Sequence, residues 1–278
     1  MPESVAIPME ELLRVKGLRT ELTGRRPLVA VQEATFDIVP GEVFGLVGES
    51  GSGKSVLVKS LIRVLPPNAH VSGRAVLWRG ENLLSASERR MREIRGADIS
   101  MIFQNPQASL NPARTIGEQL RSLVRYKNGC SRGEARRRAA ELLAMVQIPD
   151  PERVMSLYPF ECSGGMCQRI LIAMALAHRP KLLIADEPTT SLDVTIQAQI
   201  LRLILDLKKE LGMSMLFVSH DLGIVSSICD RVAVMYQGRI VEVAPAKQLF
   251  QAPQHPYTRA LLESSLAFRW RQTSLEQH

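Results

Sequence analysis

The most specific chemistry in this chain is carried by one run of residues, Gly48-Glu49-Ser50-Gly51-Ser52-Gly53-Lys54-Ser55. It matches G-x-x-x-x-G-K-[ST], a loop that wraps a chain of phosphates. Glycines let the backbone curl until successive N–H groups point inward at phosphate oxygens. A helix starting near Lys54 adds the positive end of its dipole. Lys54 has the reach for β- and γ-phosphates, and the Ser55 hydroxyl can bind magnesium. The plain alternative is a flexible Gly/Ser turn. The context argues against it. An apolar run, Glu42 to Val47, leads into the loop, and a helical pattern from Lys54 to Leu65 follows, stopped by Pro66-Pro67.

A second constellation is Leu182-Leu183-Ile184-Ala185-Asp186-Glu187, an apolar strand ending in two carboxylates. An aspartate in this place can hold magnesium beside a phosphate loop, commonly through water. The glutamate after it can take a proton from an attacking water as general base. A carboxylate pair at a strand end carries little by itself, because turns favour aspartate. Coupled to a phosphate loop it points to hydrolysis.

The elements that hold these residues read as alternating strands and helices. Strands are expected at Leu12–Val15, Val29–Val39, Glu42–Val47, Gly73–Trp78 and Asp98–Phe103, with a polar Thr23–Arg26 turn before the second. Ile116–Lys127 and Ser131–Val146 pattern as amphipathic helices, and Ser131 with Glu134 reads as a capping box. Pro149–Tyr158 reads as a breaker-rich connection. Strand Leu182–Ala185, helix Val194–Leu211, strand Ser214–Val218, helix Leu222–Cys229 and strands Arg231–Tyr236 and Arg239–Val243 follow. This alternation implies an α/β fold with a mostly parallel sheet, interrupted by an inserted helical block.

Composition bounds the class. The 278 residues are 45% apolar and 23% charged, which excludes a disordered or collagen-like chain and a disulfide miniprotein. The longest uninterrupted apolar run, Ile170 to Ala177, falls well short of the ~18–20 residues of a spanning helix. Met-Pro-Glu-Ser lacks the basic start and apolar stretch of a secretory signal, so a cytosolic protein is expected. Cys130, Cys162, Cys167 and Cys229 form no C-x-x-C pair, so free thiols are expected rather than a zinc site. The net charge of +7 suits anionic lipid or nucleic acid, yet dispersed charge is ordinarily a solvated face. Arg89, Arg90, Arg92, Arg95, Arg132, Arg136, Arg137 and Arg138 are interleaved with Glu88, Glu93, Glu134 and Glu141, and helix pairing accounts for them.

Cys162-Ser163-Gly164-Gly165-Met166-Cys167-Gln168-Arg169 resembles the signature motif of ABC-transporter ATPases. Gln104 is placed like that family's Q-loop glutamine, Ser191-Leu192-Asp193 like its D-loop, and His220 like its switch histidine. The ordered motifs fit the family from about residue 12 to 245. A narrower likeness, to oligopeptide, dipeptide and nickel import ATPases, rests on Phe103-Gln104-Asn105-Pro106, Ser109-Leu110-Asn111-Pro112, Asp193 to Ile200 and above all His255-Pro256-Tyr257-Thr258 with Leu261-Leu262.

The resemblance implies a P-loop ABC ATPase domain over 12–250, with an antiparallel β subdomain and a helical subdomain at about 105–178. An N-terminal extension, 1–11, and a short C-terminal importer-type segment, 251–278, flank it. It implies ATP and Mg2+ as ligands, held by Gly48, Glu49, Ser50, Gly51, Ser52, Gly53, Lys54 and Ser55, with Ser55, Gln104 and Asp186 at the metal. Glu187 is the implied base, and Gln104 and His220 sense the nucleotide. Ser163, Gly164, Gly165 and Asp193 are implied to serve the ATP bound by a facing second ATPase, in a pair expected to be a heterodimer. Two permease subunits and an extracytoplasmic solute-binding protein complete the implied importer, at the cytoplasmic face of the inner membrane, with peptide as cargo and no nucleic acid. Nickel or another small solute is the alternative cargo, and a soluble ABC ATPase a further class. Cys162 stands where leucine or phenylalanine is usual, and Cys167 where arginine or glutamine is usual; either a nucleotide contact is missing or the substitutions are tolerated. Ser191 replaces a usual alanine, and Leu22 falls where an aromatic usually stacks on adenine, which implies weaker adenine binding.

Overall fold

The computed structural model describes residues 11–24, 27–190 and 192–264. It divides into two compact units, one from the stretches before residue 92 and after residue 215, the other from residues 92–215.

The first unit opens with β1 (Leu13–Leu22) and β2 (Leu28–Ile38), continues through β3 (Val43–Val47) and α1 (Lys54–Leu61), and adds β4 (Ala69–Ser72), β5 (Ala75–Trp78) and β6 (Glu81–Asn82) before α2 (Glu88–Ile94) leads out. An antiparallel sheet runs β2-β1-β5-β6, with β4 also on β1. β1 extends well past Val15, where its strict alternation ends. Gly17, at φ +59, and a register shift between Val15 and Leu18 mark a bulge. The inward positions then change from Leu13 and Val15 to Leu18 and Thr20, the parity change that one extra residue causes. α1 ends at Leu61, short of Leu65, because Arg63 takes a left-handed conformation, φ +55.

The second unit holds β7 (Ile99–Ile102), the short α3 (Pro106–Ser109), α4 (Ile116–Asn128), α5 (Arg132–Met145), α6 (Pro151–Ser156), α7 (Gly164–Leu176), β8 (Leu182–Asp186) and α8 (Val194–Leu211). β7 and β8 pair in parallel. The expected connection at 149–158 contains α6. Its two prolines do not break a helix: Pro151 starts one, and Asp150 caps it by accepting from Arg153 N–H at 3.2 Å. Ser131 caps α5 by accepting from Glu134 N–H, while the full reciprocal capping box belongs to Thr115 and Glu118 of α4. Arginines of α5 do pair with glutamates, Arg137 with Glu141 at 2.6 Å and Arg138 with Glu134 at 2.7 Å.

β9 (Ser214–Val218) carries the chain back to the first unit, which closes with α9 (Leu222–Ile228), β10 (Arg231–Tyr236), β11 (Arg239–Pro245), α10 (Ala246–Gln251) and a helical stretch over 256–264. β10 lies parallel to β3 and antiparallel to β11. β3 is buried at every residue, as a parallel strand covered on both faces must be. Between β10 and β11 the turn residues Gln237 and Gly238 both have positive φ, +46 and +80, as a two-residue hairpin loop requires. Of the flanking segments, residues 1–10 and 265–278 lie outside the described residues, as do Arg25, Arg26 and Ser191.

Candidate functional site

The phosphate loop belongs to the first unit. β3 delivers the chain into Gly48 at φ +152, and Gly53 starts α1 at φ +106. A Cβ on Gly48 would lie 2.2 Å from the Met235 carbonyl oxygen, and one on Gly53 2.3 Å from the Ala30 carbonyl oxygen. Only glycine fits either place. No side chain caps α1. The N–H groups of its first turn are therefore not claimed by a capping side chain, which is the arrangement that receives an anion. Lys54 is 5% exposed and folds back, its Nζ donating to Gly48 O and Glu49 O at 2.8 Å each. Ser52 Oγ is buried and has no hydrogen-bond partner. A buried hydroxyl without a partner is costly, and a phosphate oxygen would satisfy it. His220, in the same unit, stands exposed just after β9, followed by Asp221, which caps α9. Leu22, the last residue of β1, pairs with Leu28 and Ala69 and is half-buried.

The carboxylates belong to the second unit. β8 is buried throughout and ends at Asp186, 1% exposed. Glu187 follows in a left-handed conformation, φ +49. Its Oε2 accepts from Gln104 Nε2 at 2.8 Å and from Thr190 Oγ1 at 2.9 Å. The structure thus brings Gln104 and Glu187 together, although 83 residues separate them. Thr190 escaped the sequence reading; a hydroxyl three residues after a strand-end glutamate was its only signal.

The signature residues form their own cluster in this unit. Ser163 caps α7 by accepting from Met166 N–H at 3.3 Å. A Cβ on Gly165 would meet Ile196 Cγ2 at 3.0 Å, and one on Gly164 would meet Leu192 at 3.7 Å. Asp193 caps α8, accepting from Ile196 N–H at 3.0 Å. Gly164 and Gly165 therefore lie against Leu192 and Ile196, on either side of Asp193 in sequence. Cys167 is fully buried, its thiol directed at Pro159 O at 3.5 Å. Burial pushes that thiol up to about 11 and raises Cys162 as well. The Cys167 side chain faces the interior and offers nothing to a ligand.

A glycine cradle at a helix start, with its lysine and an unsatisfied hydroxyl, defines a P-loop nucleotide-binding protein. Residues 31–190 match the family model described as ABC transporter, and 241–278 match the oligopeptide/dipeptide transporter C-terminal region. The chain belongs to the ABC transporter family. It is 53% identical over 255 residues to a probable peptide ABC transporter ATP-binding protein of Sinorhizobium fredii, covering 91% of this chain and 76% of that one. It is 48% identical over 259 residues to the dipeptide transport ATP-binding protein of Bacillus subtilis, covering 92% and 77%. Among solved structures it resembles a dimeric ATP-binding cassette in a post-hydrolysis state bound to ADP and Pi, with a TM-score of 0.73 at 27% identity, covering 84% of this chain and 98% of that one.

Proposed function

We propose that this chain is the ATP-binding and hydrolysing subunit of an importer of peptides. The observation that carries the reading is the preformed cradle of Gly48–Ser55, with Lys54 resting on the loop's own carbonyls, in a chain whose C-terminal region matches that of oligopeptide and dipeptide transporters. ATP binding brings phosphate oxygens to the Lys54 ammonium, a strong pairing of opposite charges, and its three donors let it keep loop carbonyls as partners. Ser52 Oγ gains its missing partner. Glu187, held by Gln104 and Thr190, takes the proton of the attacking water. His220 contacts the γ-phosphate, and Gln104 reports the nucleotide state to the helical segment that follows it. Ser163 and Gly165 serve the nucleotide of a second ATPase subunit, and Asp193, by capping α8, positions Ile196 against Gly165.

Ser55, Asp186 and Gln104 offer only oxygen donors, the set that Mg2+ prefers. No group of three or more His, Cys, Asp or Glu side chains suited to a metal occurs among the described residues. When bound, the ion would neutralise phosphate charge.

No helix among the described residues is long and apolar enough to cross a membrane. On the proposed reading the chain attaches to permease subunits at the inner face of the inner membrane, with cargo chosen by an external binding protein. Affinity purification of the tagged chain from detergent-solubilised native membranes tests this. Two permeases, a second ATPase and a peptide-binding protein should co-purify. A nickel- or other solute-binding protein would change the cargo, and recovery with ribosomes or DNA and no membrane protein would overturn the transport reading.

A further inference from the structure

The Gly48–Glu49 peptide at the start of the phosphate loop is held on both sides. Its carbonyl oxygen accepts from Lys54 Nζ at 2.8 Å. Its N–H, that of Glu49, donates to the Tyr257 hydroxyl at 3.3 Å, a contact across 208 residues. Tyr257 comes from the C-terminal His-Pro-Tyr-Thr segment, and its ring stacks on Tyr236 with centroids 4.0 Å apart and planes at 28°. Tyr236 ends β10, directly after the Met235 carbonyl against which Gly48 is pressed. Two residues further on, Gly238 N–H donates to Ser52 O at 2.9 Å.

The segment that carries Tyr257 is itself fastened. Glu242 of β11 accepts from Gln254 N–H and His255 N–H, both at 2.9 Å. His255 Nδ1 then accepts from Tyr257 N–H at 3.2 Å, which orients the start of the last helix. Thr258, next in sequence, is fully buried. This is a chain of contacts from β11 through the C-terminal segment to one peptide of the loop.

The peptide is held at both edges by different groups. Lys54 has three N–H donors, so reaching a phosphate does not require it to leave the loop carbonyls. The Tyr257 hydroxyl holds the same peptide from its N–H edge. We propose that Tyr257, stacked on Tyr236, is a positioning residue that fixes the Gly48–Glu49 peptide plane from that edge and keeps the loop shaped for nucleotide. The proposal rests on the reading of Gly48–Ser55 as the ATP site.

Tyr257→Phe tests it in the full-length chain, because phenylalanine keeps the ring stack and removes only the hydroxyl. Losing one neutral hydrogen bond predicts an ATP Kd and KM raised about 3–10-fold, with kcat within twofold of wild type and an unchanged Tm. Tyr257→Ala also removes the stack and should raise KM further. Wild-type ATP affinity in Tyr257→Phe would overturn the proposal. So would a lower Tm in that variant without any change in KM, which is the mark of a merely structural tyrosine. The two readings fail separately. A folded wild-type chain that does not bind ATP contradicts the ATPase assignment, whereas wild-type binding matched by Tyr257→Phe contradicts only the role of Tyr257.

Discussion

Replacing Glu187 by glutamine changes charge and basicity while keeping size. The amide oxygen introduced there still accepts from Gln104 or Thr190, which now hold the carboxylate at 2.8 and 2.9 Å. Hydrogen bonds to a charged acceptor contribute about 1.5–3 kcal/mol against about 0.5–1.5 kcal/mol for neutral ones, so the local geometry should survive with a modest loss. The chemical loss is larger. A positioned general base contributes about 10²–10⁴-fold, or roughly 3–5 kcal/mol of barrier. Glu187→Gln is therefore expected to lower kcat at least about 100-fold with an ATP Kd within about 3-fold of wild type. Phosphate release at saturating ATP, alongside displacement of a fluorescent nucleotide, separates the two quantities. Thr190→Ala removes one of the bonds that orient the base while Gln104 keeps the other, and should cost about 10-fold or somewhat more in kcat, less than Glu187→Gln. A Glu187→Gln protein that turns over at the wild-type rate, or a Thr190→Ala protein more damaged than Glu187→Gln, would refute the assignment of Glu187 as an oriented base.

Lys54→Ala removes a charge-assisted contact to phosphate, and an ATP Kd raised about 10–150-fold is expected by titration calorimetry. Gly53→Ala forces a Cβ to within 2.3 Å of Ala30 O at φ +106; a Tm lowered by roughly 3–10 °C is expected from the ~1–3 kcal/mol of such strain. Arg231 bonds Asp37 at 3.0 Å and the buried Glu42 at 3.3 Å, and burial holds the Glu42 carboxyl above its usual range. A raised acid binds its proton more tightly in the folded state, so its contribution to stability falls as pH rises through the folded value. Arg231→Met should therefore destabilise by about 3 kcal/mol at pH 8 in urea unfolding and by less at pH 5, where Glu42 moves toward its neutral form. Burial raises the Cys162 thiol and pushes Cys167 to about 11 and Cys229 to about 12; a disulfide reagent at pH 8 should label Cys130 alone in the native chain and all four thiols in denaturant.

Much of this was legible in the residues, for reasons that differ from place to place. The bounds of α8, β9 and β10 agree with the reading at both ends, because Asp193 caps, Gly212 terminates, and the apolar runs between turns are unbroken. The loop at Gly48–Ser55 was readable because its chemistry is local. β1 was cut short because the bulge at Gly17 reverses the alternation on which a period-two reading depends. α6 was hidden by its flanking prolines, one of which serves as the first helical residue. The family likeness named Gln104 and Glu187 in separate roles and did not give their pairing, and the contact of Tyr257 with Glu49 was not visible at all. Both join residues far apart in sequence, and no periodicity encodes such contacts.

Titration of ATP with Mg2+ into the purified full-length chain, wild type beside Lys54→Ala, tests the central claim most directly. The account predicts saturable binding to one site per chain, competed by ADP, with affinity in the variant reduced at least about 10-fold. A folded wild-type chain that shows no saturable ATP binding, or a Lys54→Ala chain that binds ATP as tightly as wild type, would contradict it.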